Sequence, residues 1–277
     1  MALPELLDML KAGVHFGHQS SRWHPKMAPY IYGVRGGVHV MDLEKTREQI
    51  AKTTSYVEAL VARGGSVMFV GTKRQAQDIV AKYALSCGMP YVNTRWLGGT
   101  FTNFPQISKL IKTYLELKDK TEKGELKKYT KLEQLQFARQ IVELEEKIGG
   151  ISTMMRLPEV VFMFDARHDK TAVREALAMK VKIIAICDTN VNPVGIDYVI
   201  PANDDAVGSL DMIAHCIADA VNAGKAKGIA SRAAAAAVLA RPSAEEDVKV
   251  AAKDQEAVED MDDAMKEKLV AEAQDKK

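Results

Sequence analysis

The sequence predicts an α/β protein: a three-layer sandwich with a mainly parallel sheet and an inserted antiparallel coiled-coil helical hairpin. Short, almost continuously apolar runs such as SVMFVG (66–71), PEVVFMFD (158–165) and KIIAICD (182–188) alternate with amphipathic helical segments. Strands of a parallel sheet have such continuous apolar runs because helices cover both faces of the sheet. A second observation is that segment 105–148 interrupts this alternation with two narrow apolar seams.

Three elements are predicted before the first core strand. Arg35-Gly36-Gly37 lies between two runs rich in β-forming residues, which is typical of a β-hairpin. The helical pattern that follows begins after Asp42, whose carboxylate is suited to cap a helix, and it stops at Gly64-Gly65. The predicted spans are a helix over 3–12, strands over 30–34 and 38–41, and a helix over 42–63.

The remaining elements follow the strand–helix alternation. They are a strand over 66–71, a helix over 73–87, an edge strand over 90–92, a strand over 158–165, a helix over 170–180, a strand over 182–188, a short strand over 198–200 and a helix over 206–223. Residues 1–104 and 149–228 are therefore predicted to form one α/β domain, with 105–148 inserted into it.

The inserted segment is predicted to be a helical hairpin that projects from the sheet. Its two seams step by three and four residues, and Gly124 lies in the polar turn between them. Residues 109–131 hold eight lysines against four acids. A solvated surface and a phosphate-facing surface explain this excess equally well. The seams are Ile107, Leu110, Tyr114 and Leu117, and then Phe137, Ile141, Leu144 and Ile148.

The formal net charge of +1 hides a division near residue 228, because residues 1–228 carry +5 and residues 229–277 carry −4. The moderately basic body is compatible with a nucleic-acid partner. Segment 229–277 is rich in Ala, acids and Lys and has no aromatic residue, so an acidic tail that is disordered or transiently helical is expected. No run approaches the ~20 apolar residues of a membrane span, and the acidic start of the chain is unlike a signal peptide, so we expect a cytoplasmic protein.

Signatures of common nucleotide enzymes and hydrolases are missing. There is no glycine-rich phosphate loop after a strand, no G-x-S-x-G and no H-E-x-x-H. Asp165 and Asp188 do end predicted strands, and with Asp204, Asp205 and the histidines they form a candidate site for a divalent ion. The candidate metal ligands are His18, Asp188, Asp204 and Asp205, with His15 nearby in the sequence.

Helix and turn capping is the favoured interpretation of these aspartates, and no cofactor is required. An ion, if bound, is expected to be structural. The alternative is a metal-dependent hydrolase or nucleotide-binding enzyme that uses the aspartate cluster at the strand ends.

Two loops have the composition of RNA-binding segments. They interleave cations, which neutralise phosphates, with aromatic rings, which stack on unpaired bases. The opposing interpretation is that the tryptophans and tyrosines only pack the loops onto the sheet. The candidate RNA-binding residues are Arg22, Trp23, His24, Lys26, Arg35, Lys73, Arg74, Arg95, Trp96, Thr100, Thr102, Asn103, Lys109 and Lys112.

These motifs resemble those of the family of bacterial small-ribosomal-subunit protein number two. The resemblance covers residues 3 to about 227. It is carried by LKAGVHFGH (10–18), RWHPKM (22–27), DLEKT (42–46), RWLGGT (95–100) with Asn103-Phe104, CDTN (187–190) and PANDD (201–205).

The resemblance implies a non-enzymatic ribosomal protein with a Rossmann-like sheet and a protruding coiled-coil hairpin. Such a protein contacts ribosomal RNA where it bridges the head and the body of the small subunit. It also neighbours other small-subunit proteins and helps recruit ribosomal protein one. No membrane and no small-molecule substrate are expected. The acidic tail departs from the family pattern, which leaves its role open.

Overall fold

The computed structural model describes residues 3–239, with side chains as far as Ser231. Residues up to Gly228 belong to one compact unit, and Ile229 begins a second unit. The expected α/β class is confirmed. None of the helices within residues 3–239 is long and apolar enough to cross a membrane.

The amino-terminal part contains a small antiparallel sheet flanked by two helices. Its strands have the order β1-β3-β2. Gly36 and Gly37 have φ of +57° and +78° in the two-residue turn between β2 and β3, a conformation that glycine adopts without a steric cost. The elements are α1 (Leu6–Lys11), β1 (Phe16–Gln19), β2 (Ile31–Arg35), β3 (Val38–Met41) and α2 (Leu43–Ala62).

The predicted β-hairpin and the helix cap at Asp42 are therefore confirmed, whereas strand β1 was not predicted. The Asp42 side chain accepts hydrogen bonds from the backbone N–H groups of Glu44 and Lys45. Strand β1 has four residues, FGHQ, in which neither alternation nor a continuous apolar run is visible.

The larger sheet has five parallel strands in the order β5-β4-β6-β7-β8. Each strand falls within two residues of its predicted position because its apolar run is short and sharply bounded. Its strands and helices are β4 (Val67–Val70), α3 (Gln77–Cys87), β5 (Tyr91–Val92), α4 (Phe104–Glu122), α5 (Lys131–Ile148), β6 (Val160–Met163), α6 (Lys170–Ala178), β7 (Lys182–Cys187), β8 (Tyr198–Pro201) and α7 (Val207–Leu239).

Side chains of the central strands alternate between two hydrophobic cores. In β4, Val67 and Phe69 pack in a core shared with α2, α3 and α7. Met68 and Val70 pack in a second core shared with α4, α5 and α6. The predicted three-layer arrangement is thus observed, and its buried strands explain the continuous apolar runs.

Helices α4 and α5 correspond to the inserted segment and contact each other. Buried Ile107, Ile111 and Tyr114 of α4 share a core with Leu144 and Ile148 of α5. Thr130 and Glu133 form a capping box that starts α5 after the turn. Two helices in the segment match the expectation, while their supercoiling stays a prediction.

Two helix boundaries differ from the prediction. Helix α3 begins at Gln77 rather than residue 73, because Thr72 and Lys73 bond to carboxylates of other loops and residues 73–76 form a turn. Helix α7 continues to Leu239, beyond the predicted end at residue 223, because the alanine run after residue 232 has a high helix propensity. From residue 240 on, the predicted tail lies outside the described residues, so its expected disorder stays a prediction there.

A first prediction concerns the close approach of α7 to α2. A Cβ atom added to Gly224 would lie 2.6 Å from the carbonyl oxygen of Glu58, which is backbone and cannot turn away. We expect Gly224→Ala to lower the free energy of unfolding by about 1–3 kcal/mol through overpacking, measured by urea denaturation. Gly98→Ala is the control, because no atom lies within 4 Å of its added Cβ. Equal stability of the two variants would contradict this packing.

Candidate functional site

The carboxyl ends of parallel strands meet at one edge of the sheet, so the residues that follow them are neighbours. This edge carries most of the chemistry that the sequence analysis identified. Thr72-Lys73-Arg74 follows β4, Arg95 follows β5, Asp165 follows β6, Asp188 follows β7, and Asp204-Asp205 follows β8.

The Lys73 ammonium lies among three carboxylates at this edge. Its Nζ is 2.7 Å from Asp205 Oδ1, 2.9 Å from Asp204 Oδ1 and 3.5 Å from Asp165 Oδ2. Burial alone would lower the pKa of Lys73, but hydrogen bonds to Asp205 and Asp204 outweigh burial and raise the pKa. The positive charge of Lys73 is therefore compensated by aspartates of the same protein, which corrects the expectation that Lys73 binds RNA.

The aspartates differ in their surroundings. Asp204 is buried, and its burial, reinforced by the charges of Asp165 and Asp188, raises its pKa to about 7 although Lys73 acts against this rise. Asp165 Oδ1 accepts hydrogen bonds from the backbone N–H groups of Arg167 and His168 at 2.8 and 2.9 Å. Capping, the favoured interpretation of these aspartates, thus applies to Asp165.

Three of the four predicted metal ligands, His18, Asp188 and Asp204, lie together, and Asp205 lies on the other side of the His18 ring. His18 Nδ1 is 3.0 Å from Asp188 Oδ2, and His18 Nε2 is 3.6 Å from Asp205 Oδ2. One ligand atom each from His18, Asp188 and Asp204 lie within 4.8 Å of one another. A hydrogen bond with Asp188 raises the pKa of His18, against the opposing effect of burial. Asp188 Oδ2 is buried and, within residues 3–231, has no other polar partner than His18.

Backbone hydrogen bonds fasten the amino-terminal segment to the same edge. The N–H of His24 donates to the carbonyl oxygen of Thr189 at 2.7 Å, and the N–H of His18 donates to Thr189 Oγ1 at 2.9 Å. Asn203 donates to Val14 in the same way, from backbone to backbone, at 3.1 Å. The ends of β7 and β8 therefore fix the segment that carries the first candidate RNA-binding loop.

Most of the candidate RNA-binding side chains are exposed, and His24 is half-buried. In the part of the chain with described side chains, Arg22, Arg35 and Arg95 form no ion pair with a carboxylate. Trp23 is 39% exposed, enough to offer part of its side chain to a ligand. The exposed candidates are Arg22, Trp23, Lys26, Arg35, Arg74, Arg95, Thr102, Asn103, Lys109 and Lys112.

Trp96 and Thr100 are corrections, because the structure buries both. Trp96 is 8% exposed, packs edge-to-face on Phe101 with centroids 4.9 Å apart, and cannot stack on a base. Thr100 is 1% exposed, and its hydroxyl donates to the carbonyl oxygen of Leu97 at 2.6 Å. For Trp96 the packing interpretation was right, whereas the burial of Thr100 was not expected.

Glu175 of α6 organises the second loop and was missed by the sequence analysis. Its Oε1 accepts from Trp96 Nε1 at 3.1 Å and from the Gly99 N–H at 2.8 Å. Its Oε2 accepts from the N–H groups of Phe101 and Thr102 at 3.0 and 3.3 Å, and from the Thr102 hydroxyl. The available signal was an acid three residues from Ala172, on the buried face of a short helix.

Arg167 was also missed. It is exposed and follows β6 as Arg74 follows β4 and Arg95 follows β5. Because β5, β4 and β6 are adjacent and parallel strands lie ~4.8 Å apart, these arginines follow neighbouring strand ends. The available signal was that each of these arginines follows a strand. Recognising them as neighbours, however, requires the strand order of the sheet.

An apolar groove lies beside the small sheet. It has a volume of about 700 Å³ and is lined mainly by apolar residues such as Leu10, Tyr32 and Val34, together with His15 and Arg35. The Tyr32 side chain is 82% exposed. Exposed apolar clusters of this kind are more typical of contacts with proteins than with RNA.

A second prediction tests the charge network. Replacing Lys73 by Met leaves buried Asp165 and Asp204 without their cation, and losing one partner of a buried pair costs about 3–5 kcal/mol of unfolding free energy. Lys82→Met is the control, because Lys82 pairs with Asp211 on the exposed surface at 3.0 Å, where water screens the pair and its loss costs little stability. Urea denaturation at pH 8 separates them. Equal losses would show that Lys73 is not part of the folded core.

The protein-family model described as Ribosomal protein S2 matches residues 9–224. This match spans well over half of the chain and includes both candidate loops, the aspartate cluster and the inserted helices. The chain therefore belongs to the ribosomal protein S2 family, whose members are structural rather than enzymatic components of the small subunit of the cytoplasmic ribosome.

Proposed function

We propose that this protein binds small-subunit ribosomal RNA at the junction of head and body, through the exposed cations of its two loops. The observation that carries the proposal is the difference in charge pairing between the carboxyl edge and the two loops. Lys73 is neutralised by aspartates, whereas Arg22, Arg35 and Arg95 are exposed without a carboxylate partner in the described part of the chain. Unpaired guanidinium groups suit phosphate oxygens, which they contact with two parallel hydrogen bonds.

In the proposed mechanism the protein acts by occupying a fixed position on the RNA. Guanidinium contacts with phosphates fix the register of the protein on folded RNA, and the shape of the RNA supplies specificity. Arg74 and Arg167 extend the row that begins at Arg95, and the exposed Trp23 ring is available to stack on an unpaired base. No bond is made or broken in this role.

The inserted helices are proposed to reach a second RNA surface. Lys109 and Lys112 lie three residues apart on α4, so their side chains share one helix face. Both are exposed. This face, rather than the acid-containing face of α5, is the one that a phosphate backbone would meet.

Contacts with neighbouring ribosomal proteins, including recruitment of ribosomal protein one, are proposed for the apolar groove. Apart from Arg35 and His15, the groove is lined mainly by apolar residues, and burying these residues against a protein partner is favourable. RNA and protein contacts would then be adjacent on the amino-terminal segment, because Arg35 lines the groove and is also a proposed phosphate contact.

The RNA-binding proposal is tested with the pair Arg22→Ala and Arg35→Ala in one chain. Each substitution removes one proposed phosphate-binding group, and a charge-assisted hydrogen bond contributes about 1.5 kcal/mol. We therefore expect the affinity for salt-washed small subunits lacking this protein to fall about tenfold for each arginine replaced. The matched control is Lys52→Ala with Lys82→Ala, which removes the same charge from cations already paired with Glu48 and Asp211. Equal affinities for the two double variants, measured by sedimentation, would contradict the proposal.

We further propose that His18, Asp188, Asp204 and Asp205 hold one divalent ion with a structural role. Imidazole and carboxylate donors together suit such a cation, and Asp188 Oδ2 is a buried acceptor whose only polar neighbour among the described residues is His18. The Lys73 ammonium already compensates part of the charge, so the ion would stabilise an edge that folds without it.

The ion proposal predicts a metal-dependent melting temperature. Adding Zn²⁺ or Mg²⁺ to metal-free protein should raise the melting temperature, because binding to the native state alone stabilises it. His18→Ala should abolish this rise. His215→Ala is the control, since His215 is an exposed histidine on α7. An identical rise in both variants, or no rise in the unaltered protein, would contradict a site at this cluster.

A further inference from the structure

The loop between β5 and α4 has backbone N–H groups that no strand or regular helix supplies with hydrogen-bond acceptors. Residues 93–103 form no strand, and Gly99 has a φ of +93°. Neither a ladder nor a regular helix therefore satisfies the N–H groups of this segment. The loop nevertheless carries exposed Arg95, Thr102 and Asn103, three of the candidate RNA-binding residues.

A single carboxylate, that of Glu175, accepts three of the loop's backbone N–H groups, whereas those of Thr100 and Asn103 donate to carbonyl oxygens within the loop. Both oxygens of Glu175 are used, and together they accept five hydrogen bonds from Trp96, Gly99, Phe101 and Thr102. Glu175 is only 8% exposed, on a helix that belongs to the apolar core. Burial alone would raise the pKa of Glu175, but the hydrogen bonds from Gly99, Phe101, Trp96 and Thr102 outweigh burial and lower the pKa.

A buried acid near a surface for RNA would ordinarily weaken binding. Here the negative charge faces N–H dipoles of the loop, so the loop gains a fixed shape while its outer face keeps the Arg95 charge. Fixing the shape before binding reduces the entropy lost when RNA orders the loop. The inner side of the loop thus binds Glu175, while the outer side carries the Arg95 charge.

We propose that Glu175 is a positioning residue for RNA binding: it holds the loop so that Arg95 is presented to a phosphate. This inference rests on the proposed RNA-binding function and names a residue that acts through Arg95 without touching RNA. Glu175→Gln keeps the volume of the side chain but replaces one acceptor oxygen by an NH₂ donor. Either two or three loop donors then lose their acceptor, whichever way the amide points.

The test is a double-mutant cycle with the full-length chain and salt-washed small subunits that lack this protein. We expect Arg95→Ala to weaken binding about tenfold and Glu175→Gln nearly as much. Adding Arg95→Ala to Glu175→Gln should then cost less than threefold. Each of the two single variants should also lower the slope of log affinity against log salt by about 1, as expected when one phosphate is no longer neutralised.

Glu159→Gln is the matched control for a structural effect. Glu159 Oε2 also accepts from backbone and hydroxyl, at 2.7 Å from Ser66 N and 3.1 Å from Ser66 Oγ, and it precedes β6 at the amino edge of the sheet. This variant should lose stability but keep the affinity and the salt slope. Trp96→Phe is a milder second variant that removes one donor to Glu175, and it should lower affinity about threefold with the same coupling to Arg95.

The outcomes separate this inference from the function on which it rests. If Arg95→Ala leaves binding unchanged, the loop does not bind RNA and the proposed function loses this surface. If Arg95→Ala weakens binding but the effects of Glu175→Gln and Arg95→Ala simply multiply, or if Glu159→Gln weakens binding equally, the positioning role is overturned and RNA binding by the loop stands.

Discussion

Charge compensation at the carboxyl edge of the five-stranded sheet is the constraint on which the rest of the structure depends. Parallel strands bring the loops after β4, β6 and β8 together, and those loops supply Lys73, buried Asp165 and Asp204, and exposed Asp205. Lys73 must remain among the carboxylates, because a buried charge without a partner is costly. The same place in related sandwiches is where ligands commonly bind, and here protein side chains occupy it.

This internal pairing explains how a nearly neutral chain can serve a polyanionic partner. The aspartates at the edge pair with Lys73, with His18 and with backbone N–H groups, and Glu175 binds the second loop. The acids therefore lie inward, while arginines at the same edge remain exposed. Net charge is a poor guide to such a surface, since binding responds to where the charges lie.

Much of the fold could be predicted from the sequence, because buried parallel strands and capped helices have strong local patterns. Asp42 caps its helix and Gly36-Gly37 forms its turn as predicted. The burial of Trp96 and the neutralisation of Lys73 could not be predicted, since the composition of a loop does not show which side faces the core. The roles of Glu175 and Arg167 depend on contacts between distant segments, which only the packing of α6 and the strand order of the sheet supply.

The central claim is that the exposed arginines of the two loops, and not the lysine within the carboxyl edge, contact RNA. A high-resolution density map of the small subunit with this protein bound tests it most directly. The account predicts phosphate oxygens within about 3 Å of the guanidinium nitrogens of Arg22, Arg35 and Arg95, with Lys73 still among its aspartates. A map in which those guanidinium groups face solvent, and RNA contacts the protein elsewhere, would contradict the claim.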